Sequence, residues 1–220
     1  MPRLRSDGDP GDSTPSMFAE HSFAVGTSPF HVKGVVYLGA LEYFDRSVPG
    51  GRAAVVEALE APALAAFFTQ RFLTGSWYDA FPGVPMGVAA AKVAGVPVAE
   101  FVAKRARWQA ERDTQGVYRA QLKLASATMI VDRVPQLAAR YFDFVKIEQE
   151  KVNPREYLAV ITGVPASLAS LYVSLAESFL AVAMETAGAR NIRFVWGEPE
   201  PDGTRSGVRI VLLRRHLQWE

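Results

Sequence analysis

The amino-acid sequence predicts an α+β fold in which a helical bundle is followed by a four-stranded antiparallel sheet of ββαββ order. The first observation is a pair of alternating apolar and polar segments, over 145–149 and 157–162. A turn signal at Asn153-Pro154 separates them, so they predict a β-hairpin. The second observation is a stripe of apolar residues at helical spacing over 166–187, which predicts one long helix.

A second hairpin is predicted after this helix. Apolar residues alternate again over 192–196 and 208–212, with Pro201-Asp202-Gly203 between the two segments. This pattern predicts that Ile192, Phe194 and Trp196 pair with Val208, Ile210 and Leu212 across a turn at Pro201-Asp202-Gly203.

The part of the chain before residue 140 is predicted to be largely helical. Apolar residues recur at helical spacing from Val35 to Phe44, and the breaker Pro49-Gly50-Gly51 ends that helix. A helix of small residues is predicted over 84–94, and the segment 74–78 is predicted to be a loop. Residues 1–17 have the composition of a disordered arm, and we expect residues 18–220 to form a single α+β domain.

Composition and charge disfavour several classes of function. The net charge is +1, so there is no basic surplus of the kind a nucleic-acid binder needs. The absence of cysteine excludes disulfides and thiolate metal sites. The start of the chain lacks an apolar signal sequence, which favours a cytoplasmic location. The most apolar window, 164–183, contains Glu177 and is predicted to be a buried helix rather than a membrane span.

No catalytic or metal-binding constellation emerges from the motifs. His21, His31 and His216 are far apart in sequence, and no phosphate-binding glycine loop or nucleophile elbow is present. The basic run Lys104-Arg105-x-Arg107 and the pair Arg214-Arg215 are predicted to lie on solvated faces. We therefore predict no catalytic residue, no metal and no cofactor. An enzyme site assembled from distant residues stays open.

Aromatic residues with polar tips are the candidate ligand contacts. They are Trp77, Tyr78, Tyr118, Arg119 and Tyr141. Each aromatic combines a large apolar body with a polar end, which suits the lining of a pocket, although a core position between helices and sheet is the alternative. Arg119, if buried, needs an anionic partner, and either Asp143 or an acidic ligand could supply it.

Five short motifs resemble a myxobacterial paralogous family of short uncharacterised proteins. They are His31-Val32-Lys33-Gly34, Ser76-Trp77-Tyr78, Gly116-Val117-Tyr118-Arg119, Arg140-Tyr141-Phe142-Asp143 and Ala187-Gly188-Ala189-Arg190. More distantly, helices followed by ββαββ resemble the superfamily of 4-vinyl-reductase-type, haem nitric-oxide-binding and Golgi-transport ligand-binding domains. That resemblance implies an enclosed apolar or haem ligand, or an assembly subunit. The chain lacks the cysteines of some of these domains and a suitably placed haem histidine.

These observations predict a non-enzymatic module that binds a small apolar ligand in bacterial signalling. The alternative is a ligand-free adaptor subunit that dimerises, or binds a signalling partner protein, through an exposed strand edge or the small-residue helix. No nucleic-acid partner and no membrane span are predicted.

Overall fold

The computed structural model describes residues 23–115 and 117–220, apart from the side chains of residues 117–119 and 121. The arm predicted over 1–17 lies outside the described residues. The helices are α1 (Gly34–Ser47), α2 (Gly51–Glu57), α3 (Pro62–Thr69), α4 (Gly83–Ala94), α5 (Val98–Asp113), α6 (Val117–Leu124), α7 (Ala127–Asp132), α8 (Val134–Tyr141) and α9 (Ala169–Thr186). The strands are β1 (His31–Lys33), β2 (Trp77–Asp79), β3 (Lys146–Asn153), β4 (Glu156–Pro165), β5 (Arg193–Trp196), β6 (Glu200–Arg205) and β7 (Val208–Gln218).

A small two-stranded sheet joins the helical half to the rest of the chain. Strands β1 and β2 pair antiparallel, with His31 opposite Asp79, and Val32 forms an isolated bridge to Phe142. The sequence predicted a loop over 74–78, because three residues are too few to reveal an alternating pattern. The loop prediction was therefore wrong at its C-terminal end, where Trp77 and Tyr78 lie in a strand.

The main sheet is antiparallel, in the order β3-β4-β7-β5, and β6 also pairs with β7. The predicted first hairpin is confirmed, since Ile147 lies opposite Ile161. The second half differs from the predicted ββαββ order, because two short strands share the long strand β7. Phe194 on β5 pairs with Leu217 near its C-terminal end, whereas Arg205 on β6 pairs with Val208 at its start.

The turn of the second hairpin lies at a different place from the predicted one. Ser206 and Gly207 have φ of 52° and 78° and form the tight connection between β6 and β7. The predicted turn residues Pro201-Asp202-Gly203 instead lie within β6, where the register shifts between Pro201 and Thr204. Gly203, with φ of 88°, accommodates this bulge. A bulge and a turn favour the same residue types, which explains the error.

Helix α9 packs between α5 and the main sheet. With the preceding 3₁₀ turn it covers Ala166–Thr186, and by length and composition it could cross a membrane; the bent pair α4 and α5 passes the same test together. Tyr172, Leu180 and Met184 of α9 are nevertheless buried in the protein core. Glu177 accepts a hydrogen bond of 2.8 Å from Nε1 of Trp196. These contacts place one face of α9 in the protein core.

Candidate ligand-binding cavity

A cavity of about 100 Å³ lies where α5, α8 and α9 meet the inner face of the main sheet. We call it the central cavity. Most of its wall is apolar, with contributions from α1, α7 and β3 as well. The apolar and aromatic lining comprises Val36, Ala106, Ala110, Ile130, Val134, Leu137, Ala138, Tyr141, Phe142, Ile147, Tyr172, Leu175, Ala176, Phe179 and Leu180. Both halves of the fold therefore contribute to one largely apolar space.

A smaller cavity of about 40 Å³ adjoins the central cavity. Val36, Phe142, Tyr172 and Leu175 line both of them, so only these side chains separate the two spaces. Burial raises the pKa of Tyr172 to about 12, while Arg215 acts in the opposite direction. The Tyr172 hydroxyl is therefore a neutral group at physiological pH, between two apolar spaces.

Helix α5 brings a buried arginine to the smaller cavity. Nη1 of Arg105 donates a hydrogen bond of 3.0 Å to Oε1 of Gln109, one helical turn further on. Burial lowers the pKa of Arg105 to about 10, and the guanidinium still carries its charge near neutral pH. The prediction of a solvated face was wrong for Arg105, which shares the buried face of α5 with Phe101 and Gln109. The sequence signal for this buried position was the four-residue spacing of Phe101, Arg105 and Gln109, which places the three side chains on one face of a helix.

A second buried arginine, Arg215 of β7, lines the central cavity. Its exposure is 3%, and its Nε and Nη2 atoms have no hydrogen-bond partner among the described residues. The prediction of a solvated face held only for Arg214, which is exposed and pairs with Glu200. Strand periodicity carried the missed signal, because Arg215 is in phase with the buried residues Leu213 and Leu217.

Asp113 is the carboxylate of the central cavity wall, and it is already engaged. Its Oδ1 accepts a hydrogen bond of 2.8 Å from Nη1 of Arg112, and its Oδ2 lies 3.5 Å from Nε2 of Gln109. Burial raises the pKa of Asp113, partly offset by Arg112. Asp113 therefore belongs to a network on α5 and leaves Arg215 unpaired.

The structure separates the five predicted ligand contacts. Tyr141 lines the central cavity. Trp77 is 41% exposed, with Nζ of Lys33 3.7 Å from the centre of its ring. The hydroxyl of Tyr78 accepts a hydrogen bond from the backbone of Leu73. Neither Trp77 nor Tyr78 lines the central cavity, and their assignment as ligand contacts stays a prediction.

Tyr118 and Arg119 lie on α6, but their side chains are outside the described residues. The backbone of α6 contacts α9, a wall of the central cavity. Asp143, one of the predicted partners of Arg119, is bound to His31: its Oδ1 accepts from the backbone N–H of His31, and its Oδ2 lies 2.6 Å from Nδ1 of the same residue. The role of Arg119 as an anion contact stays a prediction.

Comparison with solved structures places this arrangement among H-NOX domains. The Fe(II) unliganded H-NOX protein from K. algicida superposes with a TM-score of 0.60 at 9% identity, covering 86% of this chain and 96% of that chain. An oxygen-binding H-NOX domain related to soluble guanylate cyclases gives a TM-score of 0.58 at 12% identity, covering 86% and 95%. No protein-family model and no curated protein matches the chain.

The chain therefore has the fold of H-NOX domains. The resemblance to haem nitric-oxide-binding domains, expected from the sequence, is confirmed at the level of the fold. Structural similarity at sequence identities this low establishes the fold alone. The ligand of the cavity therefore has to be judged from the residues that line it.

The described residues of the central cavity do not fit a haem. Haem iron in proteins is held by histidine, cysteine, methionine or tyrosine side chains. The described lining includes no histidine, cysteine or methionine, and of its two tyrosines, Tyr141 and Tyr172, burial raises the pKa of Tyr172 to about 12 and so disfavours the phenolate that would bind iron. His31 and His216 lie elsewhere, paired with Asp143 and Glu156. Cavities of roughly 150 Å³ hold benzene, and a haem macrocycle is several times larger than benzene.

Proposed function

We propose that this protein is a non-enzymatic sensory module that binds a small, largely apolar ligand in the central cavity. The observation that carries the proposal is a largely apolar cavity of about 100 Å³, lined by both halves of an H-NOX fold. Apolar lining with a few polar groups is the usual character of small-molecule sites. The oxygen-binding H-NOX domain of the same fold supports a ligand-binding role.

The position of the central cavity supports a sensory role. Its walls come from α5 and α8 on one side and from α9 and β7 on the other. A ligand that contacts both sides favours one arrangement of the two halves over another, which is how occupancy becomes a conformational signal. A bacterial and cytoplasmic setting, expected from the sequence, stays a prediction.

We expect the purified protein to carry a ligand that a larger side chain at position 138 excludes. Ala138 of α8 lines the central cavity, whereas the neighbouring Ala139 is exposed. Ala138→Phe fills the cavity, and Ala139→Phe adds the same ring to the surface. Native mass spectrometry, compared with the denatured mass, should show extra mass in the wild-type protein and in Ala139→Phe, and none in Ala138→Phe.

A second measurement tests the proposal in the case that the ligand is lost during purification. Calorimetric titration with primary amides from butanamide to octanamide, and with the corresponding alkanoates, should show binding that Ala138→Phe weakens roughly tenfold or more. Ala176→Leu, which fills the cavity from α9, should act in the same direction if Ala138→Phe unfolds. Absence of both extra mass and probe binding in the wild-type protein would contradict the proposed function.

A further inference from the structure

Arg215 is a buried cation with unused hydrogen-bonding capacity. Its Nε and Nη2 atoms are closed off from solvent and have no partner among the described residues. The ring centre of Trp196 lies 5.9 Å from the guanidinium carbon of Arg215. Burial of a charge without a partner is costly, and buried arginines are therefore normally paired. An unpaired one on a cavity wall points to a missing anion.

The neighbouring carboxylates do not serve as that anion. Asp113, on the same cavity wall, is held by Arg112 and Gln109. Glu177 of α9 accepts from the indole of Trp196. Arg214, which is next to Arg215 on β7, donates a hydrogen bond to Glu200 on the outer face of the sheet. These three carboxylates are thus each bound to another residue.

The planar guanidinium group also favours one kind of anion. Nε and Nη2 lie on the same edge of the planar guanidinium, where their N–H bonds run parallel. A carboxylate bridges this edge with two parallel hydrogen bonds, the arrangement that makes arginine–carboxylate pairs strong and directional. Gln109 and Asp113, the other polar residues of the described lining, bond to each other, and Asp113 also accepts from Arg112. The rest of the described lining is apolar or aromatic, so the part of the ligand beyond its charged end is hydrocarbon or aromatic.

We infer that the ligand is a small amphipathic carboxylate whose charged end pairs with the guanidinium group of Arg215. This inference rests on the proposed function and names the chemical class of its ligand. The apolar part lies against Tyr172, Leu175 and Phe179 of α9. Arg215 is accordingly a specificity-determining residue: it selects an anionic ligand in a space that would otherwise accept any apolar molecule of the right size.

The test compares acids with amides of equal size. Alkanoates from butanoate to octanoate and the corresponding primary amides are titrated calorimetrically near neutral pH, where the acids are ionised. The wild-type protein should bind the best alkanoate roughly tenfold or more tightly than its amide, because a charge-assisted pair is stronger than a neutral hydrogen bond. Arg215→Met should remove this difference, and the control Arg214→Met should retain it.

A stability measurement without ligand keeps the inference testable if Arg215→Met fails to bind any probe. Without a bound anion, the buried charge of Arg215 destabilises the protein. Arg215→Met removes this charge and should therefore raise the Tm of the ligand-free protein by a few degrees. Equal binding of acids and amides, or failure of every alkanoate while the amides bind, overturns the inference and leaves the proposed function standing. A lowered Tm in Arg215→Met overturns it as well, because Arg215 would then be part of the structural framework.

Discussion

Asp79→Ala should lower the free energy of unfolding by about 3 kcal/mol or more, one of the two largest effects that we expect from a single substitution. Asp79 is 3% exposed, and its two oxygens accept four hydrogen bonds. Oδ2 accepts from the backbone N–H groups of Gly26 and Ser28, at 2.9 and 3.3 Å. Oδ1 accepts from the Ser28 hydroxyl and the Phe81 N–H, at 2.5 and 3.0 Å.

The reason for the size of this effect is that alanine removes the acceptor of the backbone N–H groups of two buried residues, Ser28 and Phe81. Each such donor loses its hydrogen bond without regaining water. Urea denaturation followed by circular dichroism measures the change. The matched control is Asp202→Ala, because Asp202 is an exposed carboxylate on β6 and its removal should change stability by about 0.5 kcal/mol or less. Similar losses in the two variants would show that the Asp79 network is dispensable.

Gly163→Ala should be the second severe substitution, with an expected loss of about 3 kcal/mol or more. Gly163 lies in β4 with φ of +81°, at the place where the register against β7 shifts between Ile161 and Val164. A Cβ atom built there would lie 2.1 Å from the carbonyl oxygen of Phe144. The new methyl group therefore has to displace backbone, in addition to adopting an unfavourable φ.

Gly188→Ala separates the contribution of the positive φ from that of the contact with neighbouring backbone. Gly188 has φ of +91°, but nothing lies within 4 Å of the position of its Cβ. Its substitution should therefore lose only about 1 kcal/mol, the contribution of the backbone conformation. Thermal and urea unfolding of both variants provide the comparison. If the losses were equal, the contact between position 163 and the Phe144 carbonyl would contribute nothing, and the backbone at Phe144 would have moved aside.

Much of the C-terminal half could be predicted from the sequence because its elements are long. Strand β4 and helix α9 each repeat their pattern often enough to be recognised. Strand β2 could not be predicted, because its three residues show no period. The extra strand β6 was missed since Pro201-Asp202-Gly203 has the composition of a turn although it forms a bulge in the structure.

The candidate site was predicted only in part, for two different physical reasons. Of the five proposed contacts, Tyr141 lies on the central cavity. Aromatic side chains after turns fill cores as readily as they line pockets, so Trp77 and Tyr78 could not be distinguished from Tyr141 by sequence. Arg215 was missed because a pair of adjacent arginines suggests a solvated face, whereas adjacent residues of a strand point to opposite faces.

Among the described residues β3 is the edge strand of the main sheet, and this has a consequence for the association of this protein with itself. Strand β3 is the end of the strand order, and it exposes Lys146, Glu148, Glu150 and Lys151 to solvent. A second copy that added its own strand here would have to strip water from these charges. The charges on this edge therefore disfavour growth of the sheet into a fibre.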